Sequence, residues 1–227
     1  MDLVKIIQWN CKSLFQRKPE VIHLIREHNP VILAISETWL KPGIRFRVPG
    51  FTCLRDDRND GYAGSAFLII RLFPFSRVSL PSHSPNFNVV AVKAFDITFV
   101  SFYIPHPDSS LGADIRSILS SLPRPLIVLG DFNSHHTAWG CHHCDSFALQ
   151  LLDIFDDANV CFINDGSPTR RVYPQQNPKS AVDLTLCSPC LAPSLNWEVL
   201  SSSFGIDHFP IIVTLCNKSS PLLFQPL

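Results

Sequence analysis

The sequence has no apolar run long enough to cross a bilayer, and Val4-Lys5-Ile6 starts a strand pattern where a secretion signal would need a longer apolar stretch. An intracellular protein is therefore expected, with no signal peptide and no clear nuclear localisation sequence. Without a secretion signal, the eight cysteines read as buried or incidental thiols rather than a disulfide framework. The chain also lacks an excess of either charge, with 19 basic and 19 acidic residues. This excludes the broad basic footprint by which many proteins hold nucleic acid, so any such contact must rest on a few placed residues and a metal. There is no internal repeat and no heptad pattern. Charged residues are scarce at 17% and apolar ones plentiful at 46%, enough for a sizeable core.

What is present is a series of short apolar runs that end in polar groups. Val4 to Gln8 alternates and runs into Trp9-Asn10-Cys11. Pro19 suits the first turn of a helix with Val21, Ile22, Leu24 and Ile25 on its apolar face, and Asn29-Pro30 stops it. Val31 to Ile35 reads as a buried strand ending in Ser36-Glu37-Thr38-Trp39. Strands over Phe51–Arg55, Ser65–Leu72, Asn88–Phe95 and Ile97–Tyr103 follow in quick succession, which predicts antiparallel pairing. Helices are expected over Asp114–Leu122 and around Phe147–Phe155. Late strands are expected over Cys161–Asn164, Ala181–Cys187, Trp197–Ser202 and Pro210–Leu215. Helices interleaved with partly antiparallel strands predict an α/β layered sandwich, two mixed sheets face to face with helices outside. Residues 1–216 are read as one domain and 217–227 as a linker-like tail.

The most informative stretch is P-L-I-V-L-G-D-F-N-S-H-H-T-A-W-G, Pro125 to Gly140. Leu126 to Leu129 has the composition of a strand buried on both faces, and Asp131 and Asn133 emerge at its carboxyl end, where open sheets place their chemistry. Asn10 and Glu37 also end apolar runs, Asp207-His208 stands just before the Pro210 strand, and Asp183 lies inside the apolar run Ala181 to Leu186. Each alone could close a turn, cap a segment or pair with a surface charge. Together they supply what metal-assisted phosphodiester hydrolysis needs: oxygen donors for a hard cation, an Asp to activate or orient water, and a His held by a second Asp. Tyr103, ending S-F-Y-I-P, could hydrogen-bond a phosphate.

The strings W-N-C, S-E-T-W-L, S-F-Y-I-P, G-D-F-N, S-A-V-D-L and D-H-F-P, in this order, resemble the exonuclease–endonuclease–phosphatase superfamily. More narrowly they are similar to the apurinic/apyrimidinic-type endonuclease domains of non-LTR retrotransposons of the Jockey and I kind, which carry D-F-N-x-x-H-x-x-W-G runs. The resemblance covers Leu3 to Leu215. It implies a four-layered α/β sandwich that nicks double-stranded DNA with Mg²⁺, for which Mn²⁺ can substitute. The nick would leave a 5′-phosphate and a 3′-hydroxyl that primes target-primed reverse transcription. It further implies that Glu37 holds the metal with Asn10, with Asp207 near it, and that Asp131 orients or deprotonates water. Asn133 and Tyr103 would bind the scissile phosphate, and Asp183 would orient His208, which stabilises developing charge or acts as base. A reverse transcriptase in the same polyprotein and action on nuclear DNA follow from the same resemblance; no membrane is implied, and the isolated domain is expected to be a monomer. His136, matched with Trp139-Gly140, is given a loop-shaping or DNA-adjacent role.

The basic stretch from Thr169 to Ser180 sits where similar endonucleases carry a DNA-probing hairpin. Arg170, Arg171 and Lys179 are expected phosphate contacts, Gln175, Gln176 and Asn177 candidate base contacts, and Thr169 and Ser180 belong to the same DNA-binding set. Arg55, Arg58 and the Asn59-Asp60-Gly61 turn offer a second DNA-facing loop. One departure is Ile206 before Asp207-His208, where the family has Ser; a hydrogen bond is lost there. Cys141-x-x-Cys144 and Cys187-x-x-Cys190 could suggest structural zinc, which is not expected because a helix and two strands separate them. Competing readings are an abasic-site repair endonuclease, a phosphatase or sphingomyelinase of the same superfamily, and a non-catalytic DNA-docking module.

Overall fold

The first strand, β1 (Leu3–Asn10), is apolar on both faces because both faces are covered. Ile6 packs inward with Ala34, Phe67, Phe99, Ile127 and Leu129. Its neighbours Ile7 and Trp9 face the other way, against Val21 and Leu24 of α1 (Lys18–His28). A computed structural model describes residues 3–171 and 180–216. In it β1 lies between β12 (Ile211–Cys216), antiparallel, and β2 (Ile32–Ser36), parallel. The sheet continues through β4 (Ser65–Ile70) to β3 (Phe51–Asp56) at one edge and ends with β11 (Leu195–Val199) at the other.

The second sheet runs β5 (Ser76–Arg77), β6 (Asn88–Ala94), β7 (Ile97–Tyr103), β8 (Leu126–Asp131), β10 (Asp183–Cys187), β9 (Cys161–Phe162). Its outer face is covered by α2 (Gly112–Ser121) and α3 (Ser146–Asp157), through Ile115, Ile118, Leu119, Leu151, Ile154 and Phe155. The expected layered sandwich is present, as two mixed six-stranded sheets with helices outside. β3 with β4 and β6 with β7 pair antiparallel as the run of middle strands predicted. Most elements fall within a residue or two of expectation. The exceptions are short edge strands: Cys161–Asn164 shrinks to two paired residues, and β5 has only two residues and no periodicity to read. Among the described residues no helix is long and apolar enough to cross a membrane.

Polar side chains fix the sheets relative to each other. Gln8, buried in β1, donates through Nε2 to the carbonyls of Gly130 (3.1 Å) and Leu184 (3.2 Å), and its Oε1 accepts from Thr185 Oγ1 at 2.8 Å. Ser36 donates to Phe102 O and Ser65 to Ser101 Oγ across the same gap. Apolar contact is non-directional, whereas buried amides and hydroxyls are costly unless paired. These bonds therefore fix which strand ends meet. The outcome is that the ends of β1, β2, β8 and β10 converge at one end of the sandwich.

All eight cysteines are free thiols. Cys187 faces Cys161 at 3.9 Å between sulfurs, while Cys141 accepts the Ala181 N–H, so the two C-x-x-C units serve different neighbourhoods. The tail from residue 217, and Gln175, Gln176, Asn177 and Lys179 of the basic stretch, lie outside the described residues.

Gly130 sits opposite Phe102 in the β7–β8 pair, and a Cβ there would collide with the Phe102 backbone. Gly130→Ala is expected to destabilise the domain by about 1–3 kcal/mol or more, as overpacking against an immobile backbone does. The measurement is the urea midpoint; an unchanged midpoint would show that β7 and β8 are not held this closely.

Candidate active site

β1 and β2 deliver Asn10 and Glu37, both buried. Asn10 Nδ2 donates to Glu37 Oε1 and to Asp131 Oδ2, each at 2.8 Å, so one amide ties together the ends of three strands from both sheets. Glu37 has left-handed backbone (φ 53). Such a conformation in a residue other than glycine costs about 1–3 kcal/mol and persists only where the surroundings over-determine it. Here Ser13 N–H donates to the Glu37 carbonyl at 2.8 Å, and Thr38 and Trp39 bond to Gly64 and Ala63. The strain turns the Glu37 carboxylate inward instead of along the strand. Tyr103, at the end of β7, hydrogen-bonds that carboxylate; burial first, and Glu37 next, push its phenol well above the ordinary range.

β8 delivers Asp131, fully buried. Its Oδ1 accepts the Asn133 N–H at 2.9 Å. Asn133 is also left-handed (φ 47), and its Nδ2 donates to the Ile104 carbonyl at 3.0 Å. Opposite Asp131 in the β8–β10 register stands Asp183. Two buried carboxylates face to face require a cation, and His208 provides one. Its Nδ1 lies 2.8 Å from Asp183 Oδ2 and its Nε2 3.8 Å from Asp131 Oδ2. Burial works against the imidazolium, but Asp183 and then Asp131 outweigh it and hold the ring protonated up to about 9. Burial, reinforced by Asp183, pushes Asp131 up to about 7, against the pull of His208 and Asn10.

Asp131, Asp183 and His208 offer ligand atoms within 4.8 Å of one another, and no other such group of three occurs among the described residues. With Glu37 adjacent, three carboxyl groups face one imidazole, which leaves the buried pocket net acidic. Oxygen donors with that net charge fit a hard divalent cation. The ring of His208 is committed to Asp183, so the oxygens of Glu37, Asn10 and Asp131 are the fitting donors.

Several expected site residues stand elsewhere. Asp207, expected near the metal, has both oxygens taken by cations: Lys12 Nζ lies 2.7 Å from Oδ1, and Arg170 forks onto Oδ2 at 2.8 and 3.0 Å. Its carboxyl is held at about 2 by Lys12, His208 and Arg170 despite burial. Thr169, grouped with the DNA contacts, is fully buried, and its hydroxyl donates to Asp183 Oδ2 at 2.7 Å. It fixes the Asp183–His208 pair and has no open side to meet DNA. Ser180 is half-buried and pairs with Arg170 across an isolated bridge, while Arg171 is exposed. His136 caps the short turn Thr137–Trp139, its Nδ1 accepting from Ala138 N–H. Gly140 follows in left-handed backbone (φ 99), where a Cβ would strike Gly166. These two residues shape the loop behind Asn133. Asp145 holds it from the other side by accepting from Ser134, His135 N–H and Ala148 N–H. Arg55 pairs with Asp57 and Arg58 with Asp60, so the second loop carries matched charge. Ile206, in place of Ser, packs with Trp9 and Leu14, and Trp9 Nε1 donates to the His208 carbonyl at 3.2 Å. Apolar packing thus orients the loop that the lost hydroxyl left open.

The sequence reading passed over Lys12, Thr169 as a partner of Asp183, and the stacked pair Trp39–Tyr62 (centroids 6.0 Å apart), which stands exposed beside Glu37. Trp39 could have been flagged as a large aromatic directly after the Glu37 strand end. Nothing local marks Lys12.

Residues 97–212, a little over half of the chain, match the family described as endonuclease-reverse transcriptase. The chain is 25% identical over 218 residues to a probable RNA-directed DNA polymerase from transposon X-element of Drosophila melanogaster, covering 93% of this chain and 24% of that relative. It thus spans about a quarter of the length of the curated relatives it matches. In fold it is similar to the endonuclease domain of TRAS1, a telomere-specific non-LTR retrotransposon (TM-score 0.77, 21% identity, 95% of this chain and 100% of that one). It is also similar to an AP endonuclease from Leishmania major (TM-score 0.77, 15% identity, 95% and 88%). Sandwich, strand-end acids and sequence match agree: the chain belongs to the endonuclease–reverse transcriptase family, as a nuclease domain of the exonuclease–endonuclease–phosphatase kind.

Proposed function

We propose that this domain hydrolyses one strand of duplex DNA with Mg²⁺, leaving a 5′-phosphate and a 3′-hydroxyl. That hydroxyl primes a reverse transcriptase carried in the same polyprotein and acting on nuclear DNA. The observation that carries the reading is the His208 ring buried between Asp183 and Asp131, beside Glu37 and Asn10. A binder would gain nothing from such a costly cluster. The polyprotein and priming steps rest on similarity to RNA-directed DNA polymerases from transposons, and residues 217–227 would lead toward that part.

Asp131, whose carboxyl is pushed up to about 7, accepts a proton from the attacking water, whose oxygen bonds to phosphorus as the bond to the 3′ oxygen breaks and that oxygen takes a proton from solvent water. His208 remains protonated and places positive charge against the phosphorane oxygens, with Asp183 and Thr169 fixing the ring. Asn133 and Tyr103 orient the phosphate. A divalent ion held by Glu37, Asn10 and Asp131 would supply Lewis-acid neutralisation of charge on the phosphoryl group.

The expected outcomes are these. Wild-type protein nicks supercoiled plasmid with Mg²⁺ and stops with EDTA. Asp131→Asn and His208→Gln each slow nicking by about 10²–10⁴-fold with unchanged circular dichroism. Wild-type rates in both variants, or strong preference for an abasic duplex over an intact one, would overturn the reading in favour of a different site or a repair enzyme. The pH–rate profile should be a bell whose alkaline limb lies near 9 as His208 loses its proton, with the acid limb at or below about 7. In metal-free protein, ¹⁵N NMR should find the His208 ring protonated at pH 7.5, and Asp183→Asn should lower its titration toward or below 6.5. The folded value exceeds the unfolded one, so the stability contributed by His208 is full below about pH 6.5 and declines as pH rises through about 9. A ring already neutral at pH 7.5 would remove the electrostatic role.

A further inference from the structure

Lys12 follows β1 in left-handed backbone (φ 44), with its N–H on Asn10 Oδ1 at 3.3 Å. Arg170 arrives from far along the chain and is fixed by backbone pairing with Ser180 and His208. The two cations meet on one carboxylate, Asp207, one on each oxygen, at 2.7 and 2.8 Å. The carboxylate lies below, with its side chain 10% exposed, while the cations stand above it, 36% and 39% exposed. Two cations on one anion leave one surplus positive charge at the mouth of the acidic pocket. One charge is what a single phosphodiester carries. With Nε and Nη2 committed to Asp207, the other guanidinium edge and the ammonium offer N–H donors and positive charge suited to phosphate.

We propose that Lys12 and Arg170 form a clamp for a DNA phosphodiester adjoining the one that is cut, and that Asp207 is the bracket of this clamp rather than a metal ligand. This rests on the proposed DNA substrate. Its distinctive element is Lys12, a positioning residue at a strand end that otherwise serves the metal pocket. Two ordered side chains prepaid in place reduce the ordering cost of docking a backbone. A ligand role for Asp207 would require Lys12 and Arg170 to surrender their common partner. A cation already stands within ion-pair distance of each oxygen of that carboxylate.

The test uses the whole 227-residue protein in EDTA with an uncut duplex, so that chemistry is silent. Fluorescence anisotropy across a salt series should give Lys12→Met a binding slope shallower by about 0.9 than wild type, one counterion contact, with Lys12→Arg close to wild type. With Mg²⁺, Lys12→Met should raise KM several-fold with kcat within about twofold, the signature of uniform binding. The charge-neutral double variant Lys12→Met/Asp207→Asn should bind Mn²⁺, followed by electron paramagnetic resonance, as tightly as wild type. A tenfold loss of Mn²⁺ affinity there would make Asp207 a ligand and overturn the bracket. A salt slope unchanged by Lys12→Met would overturn the clamp. Wild type that binds duplex but never nicks it would overturn the proposed function and leave the clamp standing; nicking with a slope indifferent to Lys12 would do the reverse.

Discussion

An imidazole with 2% of its surface exposed, between two carboxyl groups contributed by neighbouring antiparallel strands, is the constraint to which the other parts of this domain answer. Removing one partner of a buried ion pair typically costs about 3–5 kcal/mol, because the remaining charge is stranded. The arrangement therefore stands only if every neighbour holds its place. Asp183 needs Thr169, Asp131 needs Asn10 and Asn133, and the His208 carbonyl needs Trp9. These residues come from both sheets. The cross-sheet bonds of Gln8, Ser36 and Ser65 are thus part of the site, because a slip of one sheet would unpair all of it.

The same end of the sandwich stores backbone strain. Glu37 and Asn133 leave their strands in left-handed conformation and turn their side chains toward the centre. Each is clamped, the first by Ser13 and Gly64, the second by Asp131 and Ile104. Stability is spent at the place where side-chain direction matters most, a pattern common to sites that must be organised before substrate arrives.

The strand ends were readable from sequence because burial on both faces leaves an unbroken apolar run, and a polar residue after such a run is conspicuous. Asn10, Glu37, Asp131 and Asn133 stand out this way and Asp183 as a carboxylate inside an apolar run, and all lie at the converging strand ends. Assigning partners was harder. Asp207 and His208 are adjacent in sequence yet serve different neighbours, one Lys12 and Arg170, the other Asp183 and Asp131. Thr169 looked like the start of a polar loop, and only long-range pairing with Ser180 turns it beneath Asp183. Lys12 carried no signal, since a lysine after a strand is ordinary and its partner lies at Asp207. Edge strand β5 was missed because two residues have no period.

β1 pairs with β12, Leu3 opposite Cys216 and Gln8 opposite Ile211. The domain's first strand sits in the interior of its sheet, and one of its edges stays bare until the last strand pairs with it. Trp9 likewise waits for the His208 carbonyl. Until the segment through β12 is in place, this domain has neither a closed sheet nor the imidazole that sits between its two acids.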